Sequence, residues 1–148
     1  MMKQRKIQQP VPHQSGFTLM EVLIVVVILS ILAVAVVPQF LDAPDKARQA
    51  RAQADVKNIE TALSMYKLDN IQYPSTSQGL QALVEKPSGR PEAKNWKPGG
   101  YLKQLPEDPW GNPYQYLNPG NRSDVDVYSL GADGQPGGDG LNQDIGNW

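Results

Sequence analysis

The sequence predicts an α+β fold in which one long, kinked N-terminal helix packs against a small antiparallel sheet. Three observations support this prediction. An apolar segment runs from Phe17 to Val37, an amphipathic helical pattern follows over 46–68, and the region from Ile71 onward is rich in turns. A few short strands cannot form a core by themselves. The apolar side of the helix must therefore supply the missing surface.

The apolar segment is long enough to cross a bilayer. It contains one charge, Glu21, and from Val22 to Val37 only Ser30 interrupts the hydrophobic side chains. At ~1.5 Å per residue a helix of this length spans about 30 Å, the thickness of a hydrocarbon core. Backbone groups in lipid must be satisfied within the helix. Residues 17–38 are therefore predicted to form a membrane-spanning helix.

The charges before this segment predict its orientation. Lys3, Arg5 and Lys6 precede it with no acid among them. The positive-inside tendency then places the N-terminus in the cytoplasm and the rest of the chain across the membrane. An ordinary signal peptide is one alternative, but the apolar run exceeds its usual roughly 7–15 residues and a small-residue cleavage site is lacking. A plain membrane anchor is the other alternative.

The helix is predicted to continue to about Asp69. Pro38 is expected to kink it rather than end it. Beyond that point four apolar residues recur at helical spacing and form one stripe: Val56, Ile59, Leu63 and Tyr66. This periodicity is typical of a helix that packs one side on a core. Residues 39–70 are therefore assigned to the amphipathic continuation of the helix, and residues 71–148 to a globular domain.

The globular domain is predicted to hold one short helix and two short strands. The helix covers 78–84, and the strands cover 114–117 and 126–130, each with alternating faces between Pro and Gly turns. Residues 108–113, Asp-Pro-Trp-Gly-Asn-Pro, are interpreted as a rigid turn. The three tryptophans are interpreted as packing residues: Trp96, Trp110 and Trp148.

The composition disfavours catalysis and nucleic-acid binding. There is no cysteine, and the only histidine is His13, so the body of the chain lacks the usual general base and the commonest soft nucleophile. Neither a phosphate-binding loop nor a Gly-x-Ser-x-Gly motif is present. The formal net charge of −1 offers no electrostatic footprint for nucleic acid. We therefore predict that the chain is not an enzyme.

The stretch Gly16-Phe17-Thr18-Leu19-Met20-Glu21 resembles the type IV prepilin signature. The basic leader before it and the apolar run after it complete that pattern. In the family a prepilin peptidase cuts between the glycine and the aromatic residue and then methylates the new amine. The resemblance implies that residues 1–16 are a removed leader peptide, and that Phe17 is the N-methylated first residue of the mature chain.

The resemblance also implies a role for the one charge in the apolar segment. An unpaired carboxylate in hydrocarbon costs several kcal/mol, so it must be protonated or paired. In the family the partner of Glu21 is the N-terminal amine of Phe17 in a neighbouring subunit, which sets the axial register of a helical homopolymer. For a lone subunit in the membrane, the alternative is that Glu21 lies shallow enough to reach the headgroups.

The region after the apolar segment resembles the major pseudopilins of type II secretion systems, within the type IV pilin-like superfamily. Six stretches carry the resemblance: 66–70, 73–76, 78–80, 108–114, 129–134 and 144–148. It implies a structural subunit that leaves the bacterial inner membrane, with its C-terminal domain periplasmic, and polymerises into a periplasmic pseudopilus driving export of folded proteins across the outer membrane. The implied partners are further copies, prepilin peptidase, minor pseudopilins and an inner-membrane assembly platform.

Two related functions are alternatives to that of a major pseudopilin. One is a type IV pilin-like subunit of a surface filament, and the other is a minor pseudopilin. Adhesion pilins of the superfamily usually carry a cysteine pair, and this chain has no cysteine. The compact size and Glu21 suit the abundant subunit better than a minor one.

The segment 130–145 carries three carboxylates and no cation. Composition alone favours a solvated acidic turn, and the spacing is not that of an EF-hand. The resemblance instead implies a structural Ca²⁺ that clamps this loop. The implied ligands are the side chains of Asp133 and Asp144, the backbone oxygens of Leu130 and Ile145, and one further oxygen from Asp139 or Asn142.

Overall fold

The computed structural model describes residues 16–148, without the side chains of residues 35–43. The predicted leader therefore lies outside the described residues except for Gly16. Contacts divide the described residues into two compact units, of which the first ends at Phe40 and the second is Leu41–Trp148. The predicted domain boundaries at residues 16, 38 and 70 stay predictions.

One helix, α1, covers Leu19–Asn70, which confirms the predicted long helix. Thr18 precedes its first residue, and the Thr18 Oγ1 accepts a hydrogen bond from the Glu21 backbone N–H at 3.2 Å. This is the bond that an N-cap threonine makes to the third helical residue. Ile71 follows the last residue of α1, has a left-handed φ of 72°, and donates its N–H to Lys67 O at 2.7 Å. A single left-handed residue is a common way to end a helix.

The first part of α1 presents its apolar side chains to the outside. Those between Leu19 and Val34 are 47–87 % exposed. Residues 35–43 continue the helix, and the predicted kink at Pro38 lies among residues whose side chains are outside the description.

Within the described residues, no helix has the combination of length and apolar character that a membrane span requires.

The second unit has its core between α1 and the residues that follow it. The predicted stripe of Val56, Ile59, Leu63 and Tyr66 is buried, with each residue at most 3 % exposed, which confirms the amphipathic assignment. The stripe packs in one hydrophobic cluster with the sheet and with Leu83. Leu83 belongs to a 3₁₀ helix at Leu80–Leu83, which is shorter and tighter than the helix predicted over 78–84.

Three antiparallel strands lie in the order β1-β2-β3: Gln115–Leu117, Asp126–Ser129 and Ile145–Gly146. Tyr116 faces Val127 across β1 and β2, and Ser129 faces Ile145 across β2 and β3. The two predicted strands are confirmed. Strand β3 was not predicted, because two residues are too few for a visible alternation.

The predicted alternation of faces is wrong for β2. Asp126, Val127 and Ser129 are all buried. Strand β2 is the central strand, and the Asp126 carboxylate turns inward to accept hydrogen bonds from the backbone N–H groups of residues 121–123 at 2.6–3.2 Å. A buried carboxylate is tolerated where several donors satisfy it. The polar residue thus serves the preceding turn and does not face solvent.

Two tyrosines on or beside β1 join the sheet to the rest of the unit. The Tyr114 hydroxyl donates to the Asp55 carboxylate of α1 at 3.1 Å, and the Tyr116 hydroxyl donates to Pro74 O at 2.8 Å. Burial raises the pKa of both phenols, and the Asp55 carboxylate raises the pKa of Tyr114 further. Both hydroxyls are therefore protonated donors at neutral pH.

The tryptophans differ in how closely they pack. Trp96 lies against the core, and its Nε1–H donates to Ala82 O at 2.9 Å, which confirms a packing role. Trp148 is 44 % exposed. Its ring lies 4.3 Å from the Arg122 guanidinium carbon and 5.7 Å from the Tyr128 ring, so it packs against both side chains.

Candidate functional site

The start of α1 presents the predicted processing and assembly residues. Phe17 is 82 % exposed, and a Cβ added to Gly16 would meet nothing within 4 Å. The Thr18 cap places Glu21 in the first helical turn. A carboxylate there is stabilised by the partial positive charge of the helix N-terminus. The structure therefore brings Gly16, Phe17 and Glu21 to one accessible helix end, and the pairing of Glu21 with another subunit stays a prediction.

The loop 130–145 folds back on itself. Ala132 N–H donates to Leu141 O at 3.0 Å. This bond joins the first arm of the loop, which contains Ala132, to the second arm, which contains Leu141. At Gly131, which has a φ of 68°, an added Cβ would lie 2.8 Å from the backbone of Asn142. Only glycine fits such a close approach in this backbone conformation. The segment is thus a compact loop whose two arms are in contact.

The predicted ligand residues occupy different positions in this loop. The Asp144 Oδ2 accepts a hydrogen bond from Gly137 N–H at 2.9 Å, while its Oδ1 is buried without a partner. The Asp133 side chain is exposed and accepts from Gln135 N–H at 3.1 Å. Asp139 and Asn142 are exposed at the two ends of a 3₁₀ turn over Gly140–Asn142. Leu130 and Ile145 lie at the two ends of the loop.

The carboxylates do not form a preassembled cage. In the part of the chain that the structure describes, no group of three or more Asp, Glu, His or Cys side chains is arranged to hold a metal ion. The buried Asp144 Oδ1 nevertheless fits a cation, because an unpaired buried carboxylate oxygen is costly. Ca²⁺ also accepts backbone carbonyls in flexible geometry. The residues present therefore suit a calcium ion on chemical grounds.

A buried aspartate at the base of the loop was not identified from the sequence. Asp108 is 3 % exposed, and its Oδ1 accepts from the backbone N–H groups of Trp110 at 3.0 Å and Asn112 at 2.7 Å. Its Oδ2 accepts from Ser129 Oγ at 2.6 Å, and Ser129 Oγ in turn accepts from Gly131 N–H at 3.2 Å. These bonds confirm the rigid turn over 108–113 and attach it to the loop.

A second missed residue lies on the helix. The Gln49 side chain donates from Nε2 to Gly140 O at 2.7 Å, which joins α1 to the loop. No sequence pattern distinguishes Gln49 from the other polar residues of the amphipathic region. The Asp-Pro-Trp-Gly-Asn-Pro block, in contrast, was a visible signal for Asp108.

Comparison with known proteins is consistent with this geometry. Residues 39–148 match the family described as type II secretion system protein G, and residues 12–37 match the prokaryotic N-terminal methylation motif. The type II secretion system core protein G of Pseudomonas aeruginosa is 62 % identical over 92 % of this chain and 96 % of its own length. The protein of that name from Vibrio cholerae is 59 % identical over 91 % of this chain and 92 % of its own length.

A solved structure has the same fold. The crystal structure of the major pseudopilin from the type 2 secretion system of enterohaemorrhagic Escherichia coli matches with a TM-score of 0.67 and 48 % identity. The match covers 73 % of this chain and 88 % of that one. These similarities favour a major pseudopilin over the minor pseudopilin and the surface pilin that the sequence left as alternatives. The chain belongs to the type II secretion system protein G family, the major pseudopilins.

Proposed function

We propose that the chain is the repeating subunit of a periplasmic pseudopilus whose growth exports folded proteins across the outer membrane. The observation that carries this proposal is the exposed apolar part of α1, joined to a folded unit. Apolar side chains that are 47–87 % exposed from Leu19 to Val34 are unfavourable in water. Lipid would cover them before assembly, and the helices of other copies would cover them in the filament.

The N-terminal region is proposed to pass through the bacterial inner membrane before assembly. The N-terminus would face the cytoplasm, where prepilin peptidase would remove residues 1–16 and methylate Phe17. The match of residues 12–37 to the N-terminal methylation motif supports this order of events. The remainder of the chain, residues 39–148, would lie in the periplasm.

The filament is proposed to assemble through Glu21 and Phe17 of adjacent copies. Minor pseudopilins and an inner-membrane assembly platform would be the other partners, and a separate ATPase would supply the energy. The role is structural rather than catalytic, as it is for the family.

The mature N-terminus tests the proposed processing. We expect the protein purified from its own host to begin at Phe17 and to carry one additional methyl group on the amine. Intact mass and N-terminal peptide mass spectrometry measure this directly. A Gly16→Val variant is the matched control and should retain the leader. Mature protein that still begins at Met1 would contradict the proposal.

The loop 130–145 is proposed to hold a structural Ca²⁺, supported by the buried unpaired oxygen of Asp144. The side chains of Asp133 and Asp144 and the backbone oxygens of Leu130 and Ile145 would hold the ion, with one more oxygen from Asp139 or Asn142. When bound, the ion would neutralise like charges and join the two arms of the loop. Its binding would therefore stabilise the folded state.

We expect Asp133→Ala to lower the melting temperature only when calcium is present. An ion that binds only the folded state adds about 2.7 kcal/mol at 100-fold its dissociation constant. The variant should lose most of this gain and melt like the wild type in chelator. Asp124→Ala, whose side chain is 83 % exposed outside the loop, is the control. Equal melting temperatures of the wild type with calcium and with chelator would contradict the proposed metal site.

A further inference from the structure

One side-chain hydrogen bond joins α1 to the loop 130–145 among the described residues. It runs from Gln49 Nε2 to Gly140 O, is 2.7 Å long, and links residues 91 positions apart in sequence. Gln49 is partly buried. A bond of this length to a fixed helix restrains the otherwise exposed tip of the loop.

The Gly140 carbonyl that accepts this bond belongs to the 139–144 arm of the loop and helps to orient it. Gly140 begins the 3₁₀ turn over Gly140–Asn142, and its oxygen also accepts from Gln143 N–H at 3.4 Å. The next residue, Asp144, donates its own N–H to Gly137 O at 3.2 Å. Restraining the Gly140 carbonyl therefore restrains the backbone that carries Asn142 and Asp144.

Gln49 and Asp144, one of the proposed calcium ligands, also line the same groove. A groove of about 420 Å³ is lined by both Gln49 and Asp144, together with Lys46, Gln143 and Trp148. Asp144 carries the buried oxygen that has no partner. A glycine-rich loop loses much conformational entropy when it closes around an ion. A restraint that exists before the ion arrives lowers that cost.

We infer that Gln49 of α1 is a positioning residue for calcium, holding the 139–144 arm of the loop in the arrangement that binds the ion. The inference depends on the proposed metal site and adds to it a residue from the helix. It also means that calcium occupancy stabilises the link between the loop and α1, because binding and the hydrogen bond favour the same loop conformation.

The experiment compares Gln49→Met with Gln53→Met in the full-length protein in detergent. Methionine keeps the size of glutamine and removes the donor. Gln53 lies one turn further along α1, is exposed and lines the same groove, so it is a matched control. Calcium chloride is titrated by isothermal calorimetry, and melting is followed in chelator. Since one hydrogen bond is worth about 0.5–1.5 kcal/mol, the calcium dissociation constant of Gln49→Met should rise about twofold to twelvefold.

A second readout separates positioning from general stability. In chelator, Gln49→Met should melt close to the wild type, while hydrogen exchange of the Ala132, Asn142 and Asp144 amides becomes faster. A purely structural residue would instead lower melting equally with and without calcium and leave the dissociation constant unchanged, which would overturn the inference. A wild type that binds no calcium would reject the metal site itself. Normal binding by Gln49→Met would reject the role of Gln49 alone.

Discussion

Replacing Glu21 with alanine should abolish filament assembly, while leader removal and membrane insertion should stay nearly intact. The reason is that the proposed pairing of Glu21 with the amine of Phe17 in the next copy would be the one specific polar contact between apolar helices. The start of α1 itself should persist, because Thr18 Oγ1 binds the backbone N–H of residue 21, which alanine retains. Filament yield after overexpression, measured by electron microscopy of the sheared fraction, checks the result.

The control for this experiment is Glu92→Ala. Glu92 is an exposed carboxylate in the second unit, so its loss should leave filament yield unchanged. Gel mobility reports leader removal and membrane fractionation reports insertion for both variants. A normal yield of filaments from Glu21→Ala would contradict the pairing argument.

Replacing Asp108 with alanine should lower the free energy of unfolding by about 3–5 kcal/mol, because three hydrogen-bond donors would lose their acceptor. The carboxylate is buried and accepts three hydrogen bonds, from Trp110 N–H, Asn112 N–H and Ser129 Oγ. Alanine would leave the buried Ser129 hydroxyl and the two part-buried backbone N–H groups without acceptors, at about 1–3 kcal/mol each where water cannot enter. A loss of this size is a large fraction of the stability of a small domain.

Urea unfolding of the full-length protein in detergent, followed by tryptophan fluorescence, measures this loss. Asp108→Asn keeps one acceptor oxygen for the two backbone donors, so this variant should lose less of the free energy of unfolding. Asp124→Ala is the surface control, since its side chain is 83 % exposed, and should change stability by less than about 0.5 kcal/mol. An Asp108→Ala protein that unfolds at the wild-type urea concentration would show that the turn does not stabilise the fold.

The long helix and its buried side followed from the sequence alone. The predicted range from Phe17 to Asp69 agrees with Leu19–Asn70 to within two residues at each end. The stripe from Val56 to Tyr66 is buried as its spacing predicts. Both are local properties, since an apolar run and a helical period are visible within a short window of residues. The prepilin-like junction at Gly16-Phe17 is local in the same sense, and the N-terminal methylation match covers it.

The contacts made by the residues around the C-terminal loop could be identified only from the tertiary structure. Strand β3 exists because Ile145 reaches Ser129, and Asp126 is buried because the preceding turn points its N–H groups at it. Gln49 meets Gly140 across 91 residues of sequence. Each of these contacts joins segments that no periodicity relates. The stabilisation that these contacts provide comes from desolvated polar groups that find partners only after the chain has folded. Local residue patterns therefore do not predict these contacts.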